Sequence, residues 1–203
     1  MINDRINTLI SKFNKYNIDG YIIPKNDEFF SEYTANDRLK TISNFSGSAG
    51  YSIILKKKKY LFVDGRYTIQ AKKESGKNFK IIDLNKIINC NLFKNLSIGF
   101  DPRFFTSLQI KKFFHKNNKV KSIQSNLIDQ IHKNKVKSSK PFFSLKNKIV
   151  GEDYKTKILK ISKYLNKNKS DYLFVTAPEN VAWLLNIRGH DNPNSPIPNC
   201  QLI

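Results

Sequence analysis

Two short apolar runs, Tyr51-Ser-Ile-Ile-Leu55 and Tyr60-Leu-Phe-Val63, flank the four lysines Lys56 to Lys59. Runs of this length, rich in Ile, Val, Tyr and Phe and joined by charge, read as an antiparallel hairpin with a solvated turn. Asp64-Gly65 closes the second strand, and a helix is expected from about Tyr67 to Glu74, stopped by Ser75-Gly76. Upstream, Ile6, Leu9, Ile10 and Phe13 recur at helical spacing within residues 4–16, and Tyr21-Ile22-Ile23 reads as a buried strand ending at Pro24. Downstream, strands are expected at 79–82, 97–100 and 120–123, with helices at 106–116 and 126–133. Strands alternating with helices around one hairpin predict an α/β fold, a mixed β-sheet with helices on both faces.

This first unit spans residues 1–135, enough to enclose its own core. Residues 136–150 are basic and polar and read as a linker. Residues 151–203 carry a helix at 152–168, a strand at Tyr172-Leu-Phe-Val-Thr176 and a short helix from Glu179 to Leu185 entered through Pro178. Those elements cannot close a core by themselves, so the second unit reads as a truncated α/β domain.

Charge is the other conspicuous property. The 203 residues hold 36 Lys+Arg against 16 Asp+Glu, a net +20 that invites a nucleic-acid reading. Apart from Lys56 to Lys59, however, the lysines are dispersed. The five arginines are Arg5, Arg38, Arg66, Arg103 and Arg188. Bidentate base and phosphate recognition favours arginine, so no specific nucleic-acid partner is expected. Abundant Lys, Asn, Ile, Phe and Tyr beside scarce Ala, Gly and Pro point to AT-rich coding as the source of the charge. Where lysine is the default cation, an arginine marks a place where a planar fork matters, and Arg66 and Arg188 sit in compact polar-Gly contexts. No apolar run approaches the roughly 18 residues of a membrane span. The first residues lack signal-peptide architecture, so a cytoplasmic protein is expected. Cys90 and Cys200 show neither metal nor disulfide spacing.

Chemistry-bearing motifs are few. Ser46-Gly-Ser-Ala-Gly50 precedes a strand instead of opening a helix, so it reads as a tight turn and not a phosphate loop. Asp64-Gly-Arg-Tyr67 lies at a strand-to-helix transition. There, Asp64 either caps the helix and pairs with Arg66, or both project into a cleft. Asn26, Asp27 and Glu28 read as solvated loop residues, and His115, His132 and His190 as surface residues outside any metal shell. No nucleophile elbow, HExxH or catalytic-triad signature occurs.

Taken in order, Asp19-Gly-Tyr-Ile-Ile-Pro24, Asp27-Glu28, Ser31-Glu-Tyr33, Phe45-Ser-Gly-Ser-Ala-Gly50, Phe62-Val-Asp-Gly-Arg-Tyr67, Ile98-Gly-Phe-Asp-Pro102 and Asn126-Leu-Ile-Asp-Gln-Ile131 resemble the N-terminal domain of Xaa-Pro aminopeptidases (aminopeptidase P). Ala182-Trp-Leu-Leu-Asn-Ile-Arg-Gly189 and Asp191 resemble the second, creatinase-like domain of the same family. The resemblance implies a cytosolic, homo-oligomeric three-domain metallopeptidase that removes the residue preceding proline from peptides. Its third domain would hold two divalent ions, commonly manganese, leaving no cofactor, metal ligand or catalytic group in this chain. The same resemblance makes Arg66 a substrate-binding residue. His190 stands where the family usually has serine, and no role is carried onto it. The chain alone is therefore expected to be inactive. The competing expectation is a free-standing binding module, or truncated paralogue, with a basic polyanion-binding surface.

Overall fold

The computed structural model describes residues 2–31, 34, 36–114, 117–132, 140–192 and 194–203. Glu32 and Tyr33 of the resemblance, His115 and linker residues 136–139 lie outside them. The chain divides into two compact units, Met1–Glu28 with Asn36–Lys135, and Phe29–Ala35 with Val136–Ile203.

In the first unit, α1 (Ile2–Ser11) and α2 (Phe13–Tyr16) lead into β1 (Gly20–Pro24). Next come α3 (Arg38–Ser43), β2 (Gly50–Leu55), β3 (Lys59–Val63), α4 (Thr68–Ser75) and β4 (Lys80–Asp83). The unit closes with β5 (Ser97–Phe100), α5 (Ser107–Phe114), β6 (Lys119–Ser122) and α6 (Leu127–Ile131). The expected hairpin is present, with Tyr51 opposite Phe62 and Ile53 opposite Tyr60. Among the described residues, six strands form one sheet in the order β4-β3-β2-β1-β5-β6. β2 pairs antiparallel with both neighbours, while β3–β4, β1–β5 and β5–β6 are parallel. The sheet is mixed, as expected.

Alternation along the strands sorts side chains onto two faces. Tyr21, Ile23, Ile54, Leu61 and Val63 join one core with Ile6, Leu9 and Phe13 of the N-terminal helices, Leu39 and Ile42 of α3, and Ala71 of α4. Ile22, Ile53, Leu55, Tyr60 and Phe62 join the other with Phe104, Ile110, Phe113 and Phe114. Both faces are thereby covered by helix. The edge strand β6 has the sequence Lys-Val-Lys-Ser with every residue exposed, a charged border that discourages pairing with another sheet.

The helix α3 has no counterpart in the sequence reading. It is short, but Asp37 caps it by accepting from the Lys40 N–H at 2.9 Å. In the second unit, β7 (Phe143–Ser144), α7 (Asn147–Val150), α8 (Tyr154–Lys167), α9 (Pro178–Leu185) and β8 (Ile187–Arg188) follow. β7 pairs with β8. Buried Lys157 ties α8 to α9, donating to the Trp183 carbonyl and to Asn186 Oδ1, each at 2.7 Å. The strand expected at 172–176 does not form. Val175 makes a single antiparallel bridge with Leu202, and Tyr172 is 80% exposed. An apolar, β-prone run needs a paired neighbour to become a strand, and this one has a partner at one residue.

Backbone proximity sets Gly50. A Cβ on Gly50, at the start of β2, would lie 2.8 Å from the Phe62 carbonyl oxygen of β3. Gly50→Ala is expected to lower stability by about 1–3 kcal/mol, read as a lower urea midpoint with an unchanged denaturant slope.

Candidate functional site

Strand direction decides where the chemistry collects. Because β1, β3, β4, β5 and β6 run the same way, their carboxyl ends share one edge with the start of β2. In open α/β sheets this edge is the usual ligand side. Three of these strands end on, or are followed by, an Asp that accepts from the backbone N–H two residues on. Asp64 receives Arg66 N–H at 3.0 Å, Asp83 receives Asn85 N–H at 2.9 Å, and Asp101 receives Arg103 N–H at 3.1 Å. Each Asp caps a single 3₁₀ turn, at Gly65–Tyr67, Leu84–Ile87 and Pro102–Phe104.

Two of the turns add a second contact. Arg66 Nε returns to Asp64 Oδ1 at 2.9 Å, and Arg103 Nε to Asp101 Oδ1 at 3.1 Å. Each guanidinium lies over the next aromatic ring, 5.5 Å from Tyr67 and 5.2 Å from Phe104. The two differ in burial. Asp101 is buried, and its Oδ2 also accepts from Arg103 Nη2 at 2.7 Å and Asn126 Nδ2 at 3.0 Å. Arg103 is thus held by both oxygens of a buried carboxylate. Arg66 pairs with Asp64 through one carboxylate oxygen, and its side chain is 73% exposed. The local capping alternative for Asp64 is therefore realised, and it leaves the Arg66 side chain facing solvent.

The loop before β2 supports this turn. Ser48 Oγ and the Tyr67 hydroxyl are 2.9 Å apart, and the Phe45 and Tyr67 rings meet edge to face at 5.8 Å. Glu74 of α4 accepts from the Ser46 N–H at 2.8 Å and the Ser46 hydroxyl at 2.7 Å. Burial raises the Glu74 carboxyl, but these bonds and one from Gln70 outweigh it and hold it below the ordinary range. The Ser46–Gly50 and Asp64–Tyr67 segments, separate in sequence, thus form one platform under Arg66. Gly47 is part of it, because the Phe45 ring occupies the space where a Cβ would go.

Beside this platform lies an ion-pair knot that sequence reasoning missed. Arg38, 7% exposed, makes a two-pronged pair with Asp129 at 2.9 and 2.8 Å, faces Glu28 at 3.6 Å and stacks 4.6 Å over Phe104. Lys25 pairs with Asp37. Asp27, read as solvated, is buried, and Asn26 donates to the Phe104 carbonyl at 3.1 Å. Asn26 and Asp27 are therefore structural, which corrects the solvated reading for them, whereas Glu28 is exposed as expected. The Tyr21 phenol is pushed far above its ordinary range, by burial first and then by the charge of Asp101.

The other candidates stay apart. Arg188 donates to the Ile187 and Ala182 carbonyls at 2.7 and 3.3 Å, within the second unit. His190 is exposed against the Phe143 ring at 5.4 Å, and His132 caps α6. Cys90 is buried, and its thiol is raised by that burial. Among the described residues, no three His, Cys, Asp or Glu side chains converge as metal ligands.

Comparison with known proteins agrees with this architecture. The creatinase/prolidase N-terminal domain family matches residues 5–131, and a second family of the same description matches residues 132–203. The chain belongs to the creatinase/prolidase N-terminal domain family. It is similar to the probable Xaa-Pro aminopeptidase P of Laccaria bicolor, 32% identical over 96% of this chain and 33% of that protein. It is also similar to Xaa-Pro aminopeptidase 1 of Dictyostelium discoideum, 30% identical over 97% of this chain and 35% of that protein. Among solved structures, X-prolyl aminopeptidase from Caenorhabditis elegans, described as a cytosolic enzyme with a di-nuclear active site, superposes with a TM-score of 0.87. That match has 27% identity and covers 100% of this chain and 37% of the other. The chain thus spans about a third of the length of the curated relatives it matches.

Two outcomes are expected. The Arg66 side chain, then its backbone N–H, hold the Asp64 carboxyl below the usual carboxylate range. The pair is fully formed above the unfolded-state value and is lost as pH falls through the lowered folded value. In a carbon-detected NMR titration, Arg66→Ala should move the Asp64 midpoint up toward the ordinary carboxylate range. Asp129→Ala should leave Arg38 buried with half its partners and cost about 3 kcal/mol in chemical unfolding.

Proposed function

We propose that this chain is the N-terminal, non-catalytic region of a metal-dependent Xaa-Pro aminopeptidase, and that Arg66 is its contribution to substrate binding. In this reading residues 1–135 are the first domain, 136–150 a linker and 151–203 the opening part of a second creatinase-like domain. The observation that carries the role of Arg66 is its placement. It is the solvent-facing member of two otherwise similar Asp-X-Arg turns at the carboxyl edge of the sheet, braced by Ser48, Tyr67 and Phe45. Likeness across nearly the whole chain to proteins called Xaa-Pro aminopeptidase P supports the activity. The substrates are then peptides with proline second.

The chemistry available to this chain is binding. A guanidinium offers planar paired donors to a substrate carbonyl or carboxylate, which fixes its orientation. Two divalent ions, manganese in this reading, belong to the complete enzyme, where they would polarise the scissile carbonyl and activate water. The same reading makes the complete protein a cytoplasmic homo-oligomer. By itself the chain hydrolyses nothing, and manganese-dependent release of a first residue from a Xaa-Pro peptide by the purified chain would overturn that.

In the complete protein, Arg66→Lys should lower kcat/KM by about tenfold, the loss of one charge-assisted hydrogen bond. Stability should change by less than about 0.5 kcal/mol, because the side chain is exposed. An unchanged kcat/KM would remove the substrate role.

A further inference from the structure

The lysine turn that joins the hairpin strands has a structural counterpart the sequence does not display. Lys58 and Lys59 leave the β2–β3 turn beside Lys80, the first residue of the neighbouring parallel strand β4. Tyr60 is the register partner of Lys80. Together these four residues line one concavity of about 280 Å³. Lys56 is engaged elsewhere, donating to Asn14 Oδ1 at 3.2 Å. Among the described residues, no carboxylate lies within 4.0 Å of Lys57, Lys58, Lys59 or Lys80. Some cations of this unit do have acids: Lys25 pairs with Asp37, Arg38 with Asp129, Arg66 with Asp64, and Arg103 with Asp101. Like charges are therefore gathered around a hollow without a counter-charge, which an anion would relieve.

We propose that this concavity binds a condensed phosphate, an anion in which two or three phosphoryl groups are linked. Three features select that class. Lys58 directly precedes β3, Lys59 opens it, and Lys80 opens the next strand, about 4.8 Å from β3, a spacing that suits oxygens of more than one phosphoryl group. Each ammonium supplies three donors and no acceptor, which suits an acceptor-only ligand. Tyr60 is 4% exposed and packed on Phe93 at 6.0 Å, so it floors the hollow and offers no stacking platform for a base. The site lies at the amino ends of β3 and β4, whereas Arg66 follows the carboxyl end of β3. It is independent of the peptidase reading.

The test is calorimetric titration of the 203-residue chain with sodium pyrophosphate and with tripolyphosphate at low salt, where lysine–phosphate attraction is least screened. One site per chain is expected. Lys58→Ala/Lys80→Ala should weaken it by about tenfold or more. The control Lys163→Ala/Lys167→Ala removes the same charge from exposed positions of α8 and should leave it unchanged. Restoring charge with Lys58→Arg/Lys80→Arg should recover most of the affinity. Equal weakening by both alanine pairs would show attraction to the overall charge and overturn the site. Adenosine triphosphate binding more than about tenfold tighter than tripolyphosphate would overturn the ligand class, since a base would then be recognised.

Discussion

The reversal of β2 governs the first unit. A single strand set against its two neighbours lets the hairpin form through a local turn. It also leaves the remaining strands of the sheet parallel, so their following loops emerge on one side. Parallel strands need helical crossovers, and those helices cover both faces with apolar side chains that the strand alternation has already sorted. The turn lysines go to one end of the hairpin, and the aspartates that cap the strand ends go to the other.

At the capped end, one local device is used for different purposes. An aspartate after a strand, closing on the N–H two residues ahead, costs the chain little and turns it sharply. With arginine as that second residue, the turn also fixes a guanidinium. Burying the aspartate makes the arginine a strut, as with Asp101 and Arg103, where Asn126 completes the hydrogen bonding. Leaving the aspartate near solvent presents the arginine, as with Asp64 and Arg66. Burial separates the two, and the tripeptides Asp-Gly-Arg and Asp-Pro-Arg do not reveal it.

That contrast marks what could be read from sequence. The hairpin, β1 and the alternating first unit were legible because apolar runs bounded by charge, Gly or Pro specify strands locally. Arg66 stood out because lysine abundance made each arginine informative, and because its segment resembles a known family; its role is a proposal. α3 was not legible, since Leu39 and Ile42 alone are too few to show a helical period. The Arg38–Asp129 pair was invisible for another reason: its partners are 91 residues apart. The run at 172–176 misled, because strand propensity states what a segment can pair with and not whether a partner is present. The elements on which the chain resembles the creatinase/prolidase N-terminal family are mostly those local signals.

The bond from Arg66 to its own turn has a consequence for recognition kinetics. A free arginine samples many rotamers, and arresting them on contact costs up to about 2 kcal/mol of side-chain entropy. Here Asp64 and the Tyr67 ring restrict that search before anything arrives. The guanidinium approaches a partner as a nearly rigid surface feature, so the loss of freedom is shifted from the encounter to folding. In the proposed substrate role, weak ligands with few other contacts would gain most from such a residue, because an ordering penalty is a large share of their small binding energy.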